Sequence, residues 1–382
     1  MTDPLATDAL ATPYLELDIS AAVRRYLQLA DLFPGVAIHY AVKANPHPRL
    51  LTALSQVGCR FDVASPAEVD AARAAGSRPE AMVYSNPVKR RDHVAQAHSA
   101  GVRLFVVDSA SEVAKVAQAA PGSAVLVRLL TSGAGSDWPL SRKFGVTEDE
   151  AVTLLVAAKR AGLQAAGVAF HVGSQQRDPR AWVSPVAQAA NIFRRVARYG
   201  LSPWLVDLGG GLPAHHAGAH KPLDLYAASI WNAVRRTFGG SLPDLILEPG
   251  RGLVGDAGTV VSSVIGIVHR GGRRWVFLDA GIFTGLVETL DEAIRYRLET
   301  TAFGPVGPCV LAGPTCDSAD VLYEKVPVDL PLSLAEGDQV RFASAGAYTS
   351  CYSTVGFNGF APLPTHVASR ARRAERLSAL AV

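Results

Sequence analysis

Short apolar runs alternate with longer amphipathic stretches from residue 36 to residue 251. Each apolar run is followed by a polar or glycine-containing turn, and the longer stretches are alanine-rich with a helical period. This alternation predicts parallel strands joined by crossover helices. The eight predicted strands lie near residues 38–42, 60–63, 82–84, 104–107, 125–129, 168–171, 205–208 and 245–247. The clearest predicted helices cover 65–75, 109–120 and 148–161.

The number of strands decides between two architectures. Eight strands that alternate with helices favour a (β/α)8 barrel over residues 20–256, and an open doubly wound sheet is the alternative. After residue 256 the pattern changes to strands separated by glycine turns, with runs at 260–268, 275–278, 309–311 and 340–342. We therefore predict a C-terminal all-β domain over 257–368, with 1–19 as a candidate addition, and a basic tail over 369–382.

Composition agrees with a packed globular protein of two domains, since the 382 residues are 49% hydrophobic and 19% charged. A net charge of +3 without a long basic run gives no reason to expect nucleic acid or a membrane surface as a partner. The start of the chain lacks the features of a secretion signal and no apolar stretch is long enough to cross a bilayer, so we expect a cytoplasmic protein. The four cysteines lack paired spacing, which predicts free thiols and no metal site.

The barrel hypothesis predicts that reactive side chains gather at the carboxyl ends of the strands. Capping of the following helix is the more ordinary role for Ser65, Asp108 and Ser109. Several other polar residues at these ends are poor caps and are better candidates for chemistry: Lys43, Arg128, His171 and Glu248.

Lys43 is the most informative of these residues. It ends an apolar run just before a proline-containing turn, so we expect its amine against apolar neighbours, which would favour the neutral, nucleophilic form and Schiff-base chemistry. A turn with three glycines at 207–211 is suited to a phosphate, and Glu248 and Arg251 place an acid and a base together. An amine, a phosphate cradle and an acid are what pyridoxal 5'-phosphate requires.

Six blocks of sequence carry a resemblance to a known family. They are YAVKAN at 40–45, HVGSQ at 171–175, GGG at 209–211, EPGR at 248–251, GPTCD at 313–317 and GAYT at 346–349. In this order they resemble the pyridoxal-phosphate ornithine and lysine decarboxylases with an alanine-racemase-like barrel, a group that includes diaminopimelate decarboxylase. The resemblance covers residues 14 to 363, and the segments 288–296 and 357–360 resemble the bacterial ornithine/lysine branch.

The resemblance implies a role for each matching residue around the cofactor. Lys43 would hold pyridoxal phosphate covalently, and Glu248 would face the pyridine nitrogen and keep it protonated. His171 would stack on the ring, Arg128 would lie near its phenolic oxygen, and Asp62 and Glu68 match positions close by. The phosphate would be held by Ser174, Gly209, Gly210, Gly211, Gly250, Arg251 and Tyr348.

The resemblance also implies a reaction. Cys316 would protonate the α-carbon after carbon dioxide leaves, and Asp317 would bind the distal ammonium of the substrate. Asp291, Glu292 and Phe357 would assist, and Glu292 aligns better than Asp291 with the family's second carboxylate. The implied reaction is the conversion of L-ornithine to putrescine, or of L-lysine to cadaverine, in polyamine biosynthesis. In this family the cysteine-aspartate segment reaches the neighbouring subunit's cofactor, so we expect a homodimer.

Alternatives remain open. Diaminopimelate decarboxylases usually have glutamate where this chain has Asp317, but Arg295 is a nearby cation that keeps that substrate possible. The glycines at 209 and 211 formally fit a dinucleotide-binding dehydrogenase, although Pro213 makes a poor helix start. A racemase would not need Cys316, and a non-catalytic regulatory relative would be expected to lose residues that this chain keeps. The cluster of His215, His216 and His220 is better explained as surface imidazoles than as a metal site.

Overall fold

The computed structural model describes residues 10–140, 142–218 and 221–368. These residues form two compact units: Ile19–Gly255 is one, and residues 10–18 together with 256–368 are the other. The predicted basic tail at 369–382 and His220 lie outside the described residues.

The larger unit is a closed barrel of eight parallel strands, so the barrel prediction is confirmed and the open sheet is excluded. Closure is made by the first and last barrel strands of the chain, where Ile246 and Leu247 are in register with Ala37 and Ile38. In hydrogen-bonded order the strands are Leu205–Asp207, Asp244–Leu247, Ala37–Ala41, Arg60–Val63, Val83–Tyr84, Leu104–Val107, Ala124–Arg128 and Gln164–Ala169.

Buried valine, leucine, isoleucine and alanine side chains from successive strands form one cluster of the barrel core. This is the packed interior expected of a barrel of this size, in which side chains fill the centre and leave no pore. The chemistry is therefore confined to the strand ends. The cluster comprises Val83, Val106, Leu126, Ala166, Ala169, Leu205 and Ile246.

Helices follow the strands along the chain, and the starts of the two helices at Pro66–Ala74 and Ala110–Ala119 are fixed by serine caps. Ser65 accepts a hydrogen bond from the Glu68 amide at 3.2 Å and Ser109 accepts one from the Glu112 amide at 3.3 Å, as predicted. The helices are Ile19–Leu32, Pro48–Gln56, Pro66–Ala74, Arg91–Ala100, Ala110–Ala119, Glu148–Arg160, Val183–Val196, Leu223–Phe238 and Arg251–Val254. None of the helices in the described ranges combines the length and the apolar character needed to cross a bilayer.

The predicted cap at Asp108 is wrong. Ser109 already occupies the capping position of that helix, and the Asp108 carboxylate instead accepts the amide of Gly145 at 3.1 Å. Asp108 therefore ties the loop that precedes the Glu148–Arg160 helix to the end of the Leu104–Val107 strand.

The smaller unit is built mostly of antiparallel strands, which confirms the predicted all-β domain. Its main sheet runs, in hydrogen-bonded order, through Arg297–Thr300, Gln339–Ala343, Gly258–Arg270, Arg273–Leu278, Val306–Ala312 and Val321–Pro331. Tyr14–Leu17 pairs with Gly258–Arg270, and Thr365–Val367 pairs with Tyr14–Leu17. The strand Val321–Pro331 was not predicted because its apolar residues are interrupted by charges and prolines, which local pattern assigns to turns.

His39 is an unusual residue within the barrel. It is 3% exposed, and although the Phe61 backbone lies close enough to the ring to affect its pKa, neither ring nitrogen makes a hydrogen bond of good geometry with the described residues. Burial lowers its pKa from 6.5 to about 4, with a further contribution from Arg60. A buried polar group without good partners destabilises the folded state, so this ring reduces the stability of the barrel.

We predict that His39→Leu raises the free energy of unfolding by about 1–3 kcal/mol at pH 7, because it removes an unsatisfied buried group. Since the folded-state pKa lies below the unfolded value, the unfolded state binds more protons between pH 6.5 and about 4, and stability falls as pH decreases through that window. The substitution should remove the loss of unfolding free energy that His39 causes on acidification, which is up to about 3 kcal/mol.

Urea unfolding at pH 7 and pH 5 measures both effects. The exposed His269 provides a matched control. The unfolding free energy of His269→Leu should change between pH 7 and pH 5 as much as that of the parent. A His39→Leu protein that is less stable than the parent at both pH values would contradict the explanation.

Candidate active site

Charged side chains meet at the carboxyl ends of the barrel strands. Two are cations and three are carboxyl groups, and each lies near the end of one of five of the eight strands or in the turn that follows it. Because these ends lie at one mouth of the barrel, the charges interact strongly in surroundings from which water is largely excluded. The set is Lys43, Asp62, Arg128, Asp207 and Glu248.

Lys43 lies in a short 3-10 turn, Val42–Ala44, directly after the Ala37–Ala41 strand. Its Nζ forms an ion pair with Asp62, which is fully buried and also accepts a hydrogen bond from Ser85 Oγ. The Lys43 side chain is 46% exposed, so the expectation of purely apolar surroundings is wrong. The reason is the strand register: Ala41 pairs with Asp62, which brings that carboxylate beside the residue that ends the neighbouring strand.

His171 follows the Gln164–Ala169 strand and is a neutral imidazole. Its pKa lies well below the usual value, first because of burial and then because Arg128 and Lys43 repel a second positive charge. Nδ1 accepts the amide of Gly173 at 3.0 Å, which fixes the orientation of the ring. An uncharged, fixed ring is suited to stacking against a planar aromatic group.

Glu248 and Asp207 form a buried carboxyl pair at the ends of neighbouring strands. Burial raises the pKa of Asp207 to about 6, and it raises the pKa of Glu248 well above its usual range, with the charges of Asp207 and Asp62 adding to the second shift. Glu248 Oε1 has no hydrogen-bond partner in the described chain. A buried carboxyl oxygen that lacks a partner is suited to the ring nitrogen of pyridoxal phosphate, which supports the predicted role of Glu248.

The sequence placed Asp207 at a strand end but gave it no role. Leu205 belongs to the barrel core cluster, and strand side chains alternate, so the residue two positions later also points inward. That alternation was the signal that could have identified it.

The three glycines leave no space for side chains. A Cβ added at Gly209 would lie 1.9 Å from the Phe170 carbonyl oxygen, and one at Gly210 would lie 2.7 Å from the Glu248 carbonyl oxygen. Gly209 and Gly211 also have positive φ angles, +66° and +119°, which only glycine adopts without strain. The close backbone approach predicted for a phosphate turn is therefore present.

Of the three glycine amides predicted to donate to the phosphate, one already donates to a side chain. The Gly209 amide donates to the Asp207 carboxylate at 2.9 Å, because that side chain turns back onto the strand end. Within the described residues, the amides of Gly210 and Gly211 donate to no other group. These two amides are the ones that fit an anion.

Further predicted phosphate residues lie beside this turn. Arg251 is buried at the start of a short helix, directly after Gly250, and its Nε donates to Ser174 Oγ at 3.2 Å. The buried Gln175 side chain donates to the Ala214 carbonyl at 2.8 Å and accepts the Ala214 amide at 2.9 Å. Gln175 therefore fixes the segment after the glycines, a contribution that the motif did not reveal.

Arg128 and Glu68 lie near the same charges. Burial lowers the pKa of Arg128, and Glu248 and Asp207 oppose that shift. Glu68 accepts the Ala64 amide at 2.7 Å, and burial raises its pKa. Glu68 therefore supports the turn after the Arg60–Val63 strand as well as the local charge balance.

In the smaller unit, Cys316 and Asp317 lie on an exposed loop. The Cys316 amide and thiol both contact Asn358 Oδ1, at 3.3 and 3.5 Å. The Asp317 carboxylate accepts the Ala319 amide at 2.9 Å within the same loop. The predicted proton donor and the predicted ammonium ligand are therefore neighbours on one surface loop.

The acidic pair does not behave as predicted. Glu292 accepts the amides of residues 324–326 and forms an ion pair with Arg295 at 2.5 Å, so its oxygens are committed to this unit. Asp291 is 93% exposed and pairs with Lys325 at 3.0 Å. The family resemblance favours Glu292 for the substrate, whereas in the structure its oxygens fix the Val321–Pro331 strand. Asp291 is the more accessible carboxylate.

Two other predicted residues lie in this unit. Phe357 packs against Phe283 with ring centroids 4.6 Å apart and planes tilted by 42°, and the ring centroids of Tyr348 and Tyr352 are 5.7 Å apart. Their roles toward substrate and phosphate stay predictions.

Two other features bear on metals and redox chemistry. His216 is buried while His215 is exposed, and the ranges described contain no group of three or more metal-ligating side chains. Cys59 and Cys309 are buried free thiols, whereas Cys316 and Cys351 are exposed free thiols.

Comparisons with known proteins agree with this geometry. The family model for the pyridoxal binding domain of pyridoxal-dependent decarboxylases matches residues 19–255. A lysine/ornithine decarboxylase from Selenomonas ruminantium is 35% identical over 93% of this chain and 89% of its own length. A crystal structure of lysine/ornithine decarboxylase from Vibrio vulnificus with cadaverine has a TM-score of 0.86, 32% identity and coverage of 96% and 97%. The agmatine-bound arginine decarboxylase of Paramecium bursaria Chlorella virus has a TM-score of 0.86, 29% identity and coverage of 94% and 98%.

We predict that Gly210→Ala weakens the binding of pyridoxal phosphate by roughly tenfold or more, because the new Cβ displaces the backbone that carries the two anion-binding amides. Titration of the apoprotein, followed by cofactor absorbance, measures the dissociation constant. Gly240 has no atom within 4 Å of an added Cβ, so Gly240→Ala is the matched control and should bind like the parent. Equal affinities for both variants would rule out the proposed cradle.

Proposed function

The chain belongs to the pyridoxal-dependent decarboxylases of the ornithine/lysine group, and from this premise we propose that its substrate is L-ornithine, with L-lysine as a second substrate. It is a pyridoxal-phosphate-dependent decarboxylase of a basic amino acid. The proposed products, putrescine and cadaverine, are diamines, which would place the reaction in polyamine biosynthesis.

The observation that carries the substrate proposal is the adjacency of Cys316 and Asp317 on one exposed loop. A carboxylate beside the proton donor gives the distal ammonium of a diamino acid a partner, and an ammonium that loses its water without a partner costs several kcal/mol. Amino acids with apolar tails would leave Asp317 unpaired. The relatives from Selenomonas and Vibrio, which are named for lysine and ornithine, support the same class.

Diaminopimelate is a weaker candidate for a structural reason. A distal carboxylate would need a cation, and the candidate Arg295 is already paired with Glu292, donates to the Val326 carbonyl at 2.8 Å and lies over the Tyr323 ring. Its guanidinium therefore stabilises the smaller unit. No comparable observation favours the larger guanidinium substrate of the arginine decarboxylase relative.

The barrel residues would hold and polarise the cofactor. When bound, pyridoxal phosphate withdraws electrons from the bond between the α-carbon and the carboxyl group of the substrate. Lys43 would bind the cofactor aldehyde, with Asp62 fixing the position of Nζ. Glu248 would keep a proton on the ring nitrogen, because a carboxylate beside the nitrogen favours the charged pyridinium, and the unpartnered Oε1 of Glu248 supports this role. His171 would stack on the ring.

The phosphate would be held by the amides of Gly210 and Gly211 and by neighbouring polar side chains. Amides that converge on an anion supply donors without bulk, and Arg251 adds a positive charge that is already fixed against Ser174. Tyr348 from the smaller unit is the remaining predicted ligand. Arg128 would lie beside the phenolic oxygen.

Cys316 would deliver a proton to the α-carbon after carbon dioxide leaves. The exposed position of the Cys316 loop supports a homodimer in which each subunit supplies this loop to its partner's barrel. A positioned donor contributes roughly 100-fold to 10,000-fold to such a step. The isolated monomer would therefore lack the proton donor.

We predict that carbon dioxide release and amine formation are fastest with ornithine or lysine among four candidates, the others being arginine and diaminopimelate. Asp317→Asn should lower kcat/KM for ornithine by roughly 100-fold, because the distal ammonium would lose its charged partner. Asp329 is an exposed carboxylate on the Val321–Pro331 strand, and Asp329→Asn should have the same kcat/KM as the parent. A preference for diaminopimelate, or an unchanged Asp317→Asn enzyme, would refute the proposed substrate.

We predict that two inactive variants restore activity when mixed. Lys43→Ala and Cys316→Ala subunits should exchange to give heterodimers with one intact site out of two, and random pairing should recover about a quarter of the parent activity. The activity of each single variant alone sets the baseline. A Lys43→Ala, Cys316→Ala double variant mixed with the parent is the control for subunit exchange. Mixtures that show exchange by mass spectrometry yet no activity would show that the site is not shared.

A further inference from the structure

A contact in the smaller unit joins Cys316 to a side chain that has no role in the proposed chemistry. Asn358 Oδ1 lies 3.3 Å from the Cys316 amide nitrogen and 3.5 Å from its Sγ. We propose that Asn358 is a positioning residue that holds the Cys316 thiol in a fixed direction, an inference that rests on the proposed function of Cys316 as the proton donor.

The backbone decides which end of the Asn358 amide faces the cysteine. The Cys316 N–H can only donate, so the atom opposite it is the amide oxygen and not the NH2 group. The same oxygen faces the sulfur. An oxygen acceptor leaves the S–H group as the donor of that second bond, which sets the direction of the S–H bond.

Asn358 is itself held by a tight turn. Its φ is +50°, in the left-handed region that asparagine tolerates better than most residues, and Gly356 and Gly359 on either side also have positive φ angles. The Gly359 amide donates to the Gly356 carbonyl at 3.0 Å, and Phe357 packs against Phe283. The turn therefore presents the amide in a fixed direction.

A different residue fixes the backbone of the cysteine loop. The buried Asp320 carboxylate accepts the Thr315 amide at 3.1 Å, the Thr315 hydroxyl at 2.7 Å and the Ile282 amide at 2.8 Å. Asp320 thus anchors the loop next to Cys316, whereas Asn358 contacts the thiol directly. Removal of the Asn358 amide should therefore change the thiol more than the fold of the loop.

The consequence for catalysis is a competition between two sites of protonation. A proton placed on the α-carbon gives the amine, whereas a proton placed on the cofactor's carbon gives, after hydrolysis, an amino aldehyde and an aminated cofactor. A thiol aligned by Asn358 favours the first outcome. Loss of one hydrogen bond to the donor changes such a ratio by about fivefold.

The test uses two variants of the full-length protein and a readout that needs no turnover. Asn358→Gly removes the amide while keeping the left-handed backbone free of strain, and Asn358→Asp keeps an oxygen acceptor in the same place. The first measurement is the rate of iodoacetamide alkylation at Cys316 in the apoprotein, followed by mass spectrometry. Cys351, the other exposed thiol, gives the reference rate in the same digest. The second is amino aldehyde formed per carbon dioxide released by the holoenzyme.

We expect Asn358→Gly to raise the Cys316 alkylation rate and the aldehyde yield about fivefold each, with Cys351 unchanged. Asn358→Asp should alkylate more slowly than the parent, because its negative charge opposes the thiolate, and should keep the aldehyde yield within about twofold. An Asn358→Gly protein with parent values in both measurements overturns the inference.

Failure of the proposed function gives a different result. If Cys316→Ala makes no more aldehyde than the parent, Cys316 is not the proton donor and the catalytic part of the inference is overturned with it. The alkylation rates would then still decide whether Asn358 controls the thiol, because they do not depend on turnover.

Discussion

The site depends on the mutual neutralisation of charges held at one mouth of a parallel barrel. Lys43 is balanced by Asp62, while Arg128 faces the carboxyl groups of Glu248 and Asp207. Removing any one of these charges leaves a counter-charge partly buried without compensation, which costs several kcal/mol. Burial and the neighbouring carboxylates nevertheless raise the pKa of Glu248, while the two cations oppose that shift, and burial together with the same cations keeps His171 neutral.

The Cys316 loop of the smaller unit is held by a different kind of interaction. There the groups are exposed, so screening by water weakens electrostatic effects and hydrogen bonds within the loop position the reactive atoms. Asp320 anchors the backbone and Asn358 contacts the thiol, while Glu292 is used to fix a neighbouring strand. The two units thus differ in character: the barrel holds buried charges, and the loop of the smaller unit carries an exposed thiol and an exposed carboxylate.

The sequence predicted the barrel well because the strands are buried on both faces and therefore form continuous apolar runs. All eight runs became strands, with ends displaced by a few residues at most. The residues at their ends, Lys43, Asp62 and Glu248, could be placed together because parallel strands share one mouth. Prediction was weaker for Val321–Pro331, whose charges and prolines interrupt the pattern, and for Asp108, whose partner lies far away in sequence.

By itself the sequence determined the order of the elements, the chemical identity of the reactive groups and the glycines that allow close backbone approach, because local period and residue type carry that information. Only the tertiary structure decided which groups are partnered. It paired Lys43 with Asp62, gave the Gly209 amide to Asp207, committed Glu292 to a strand and joined Asn358 to Cys316. These outcomes depend on register and on contacts between residues distant in the chain, which local pattern does not encode.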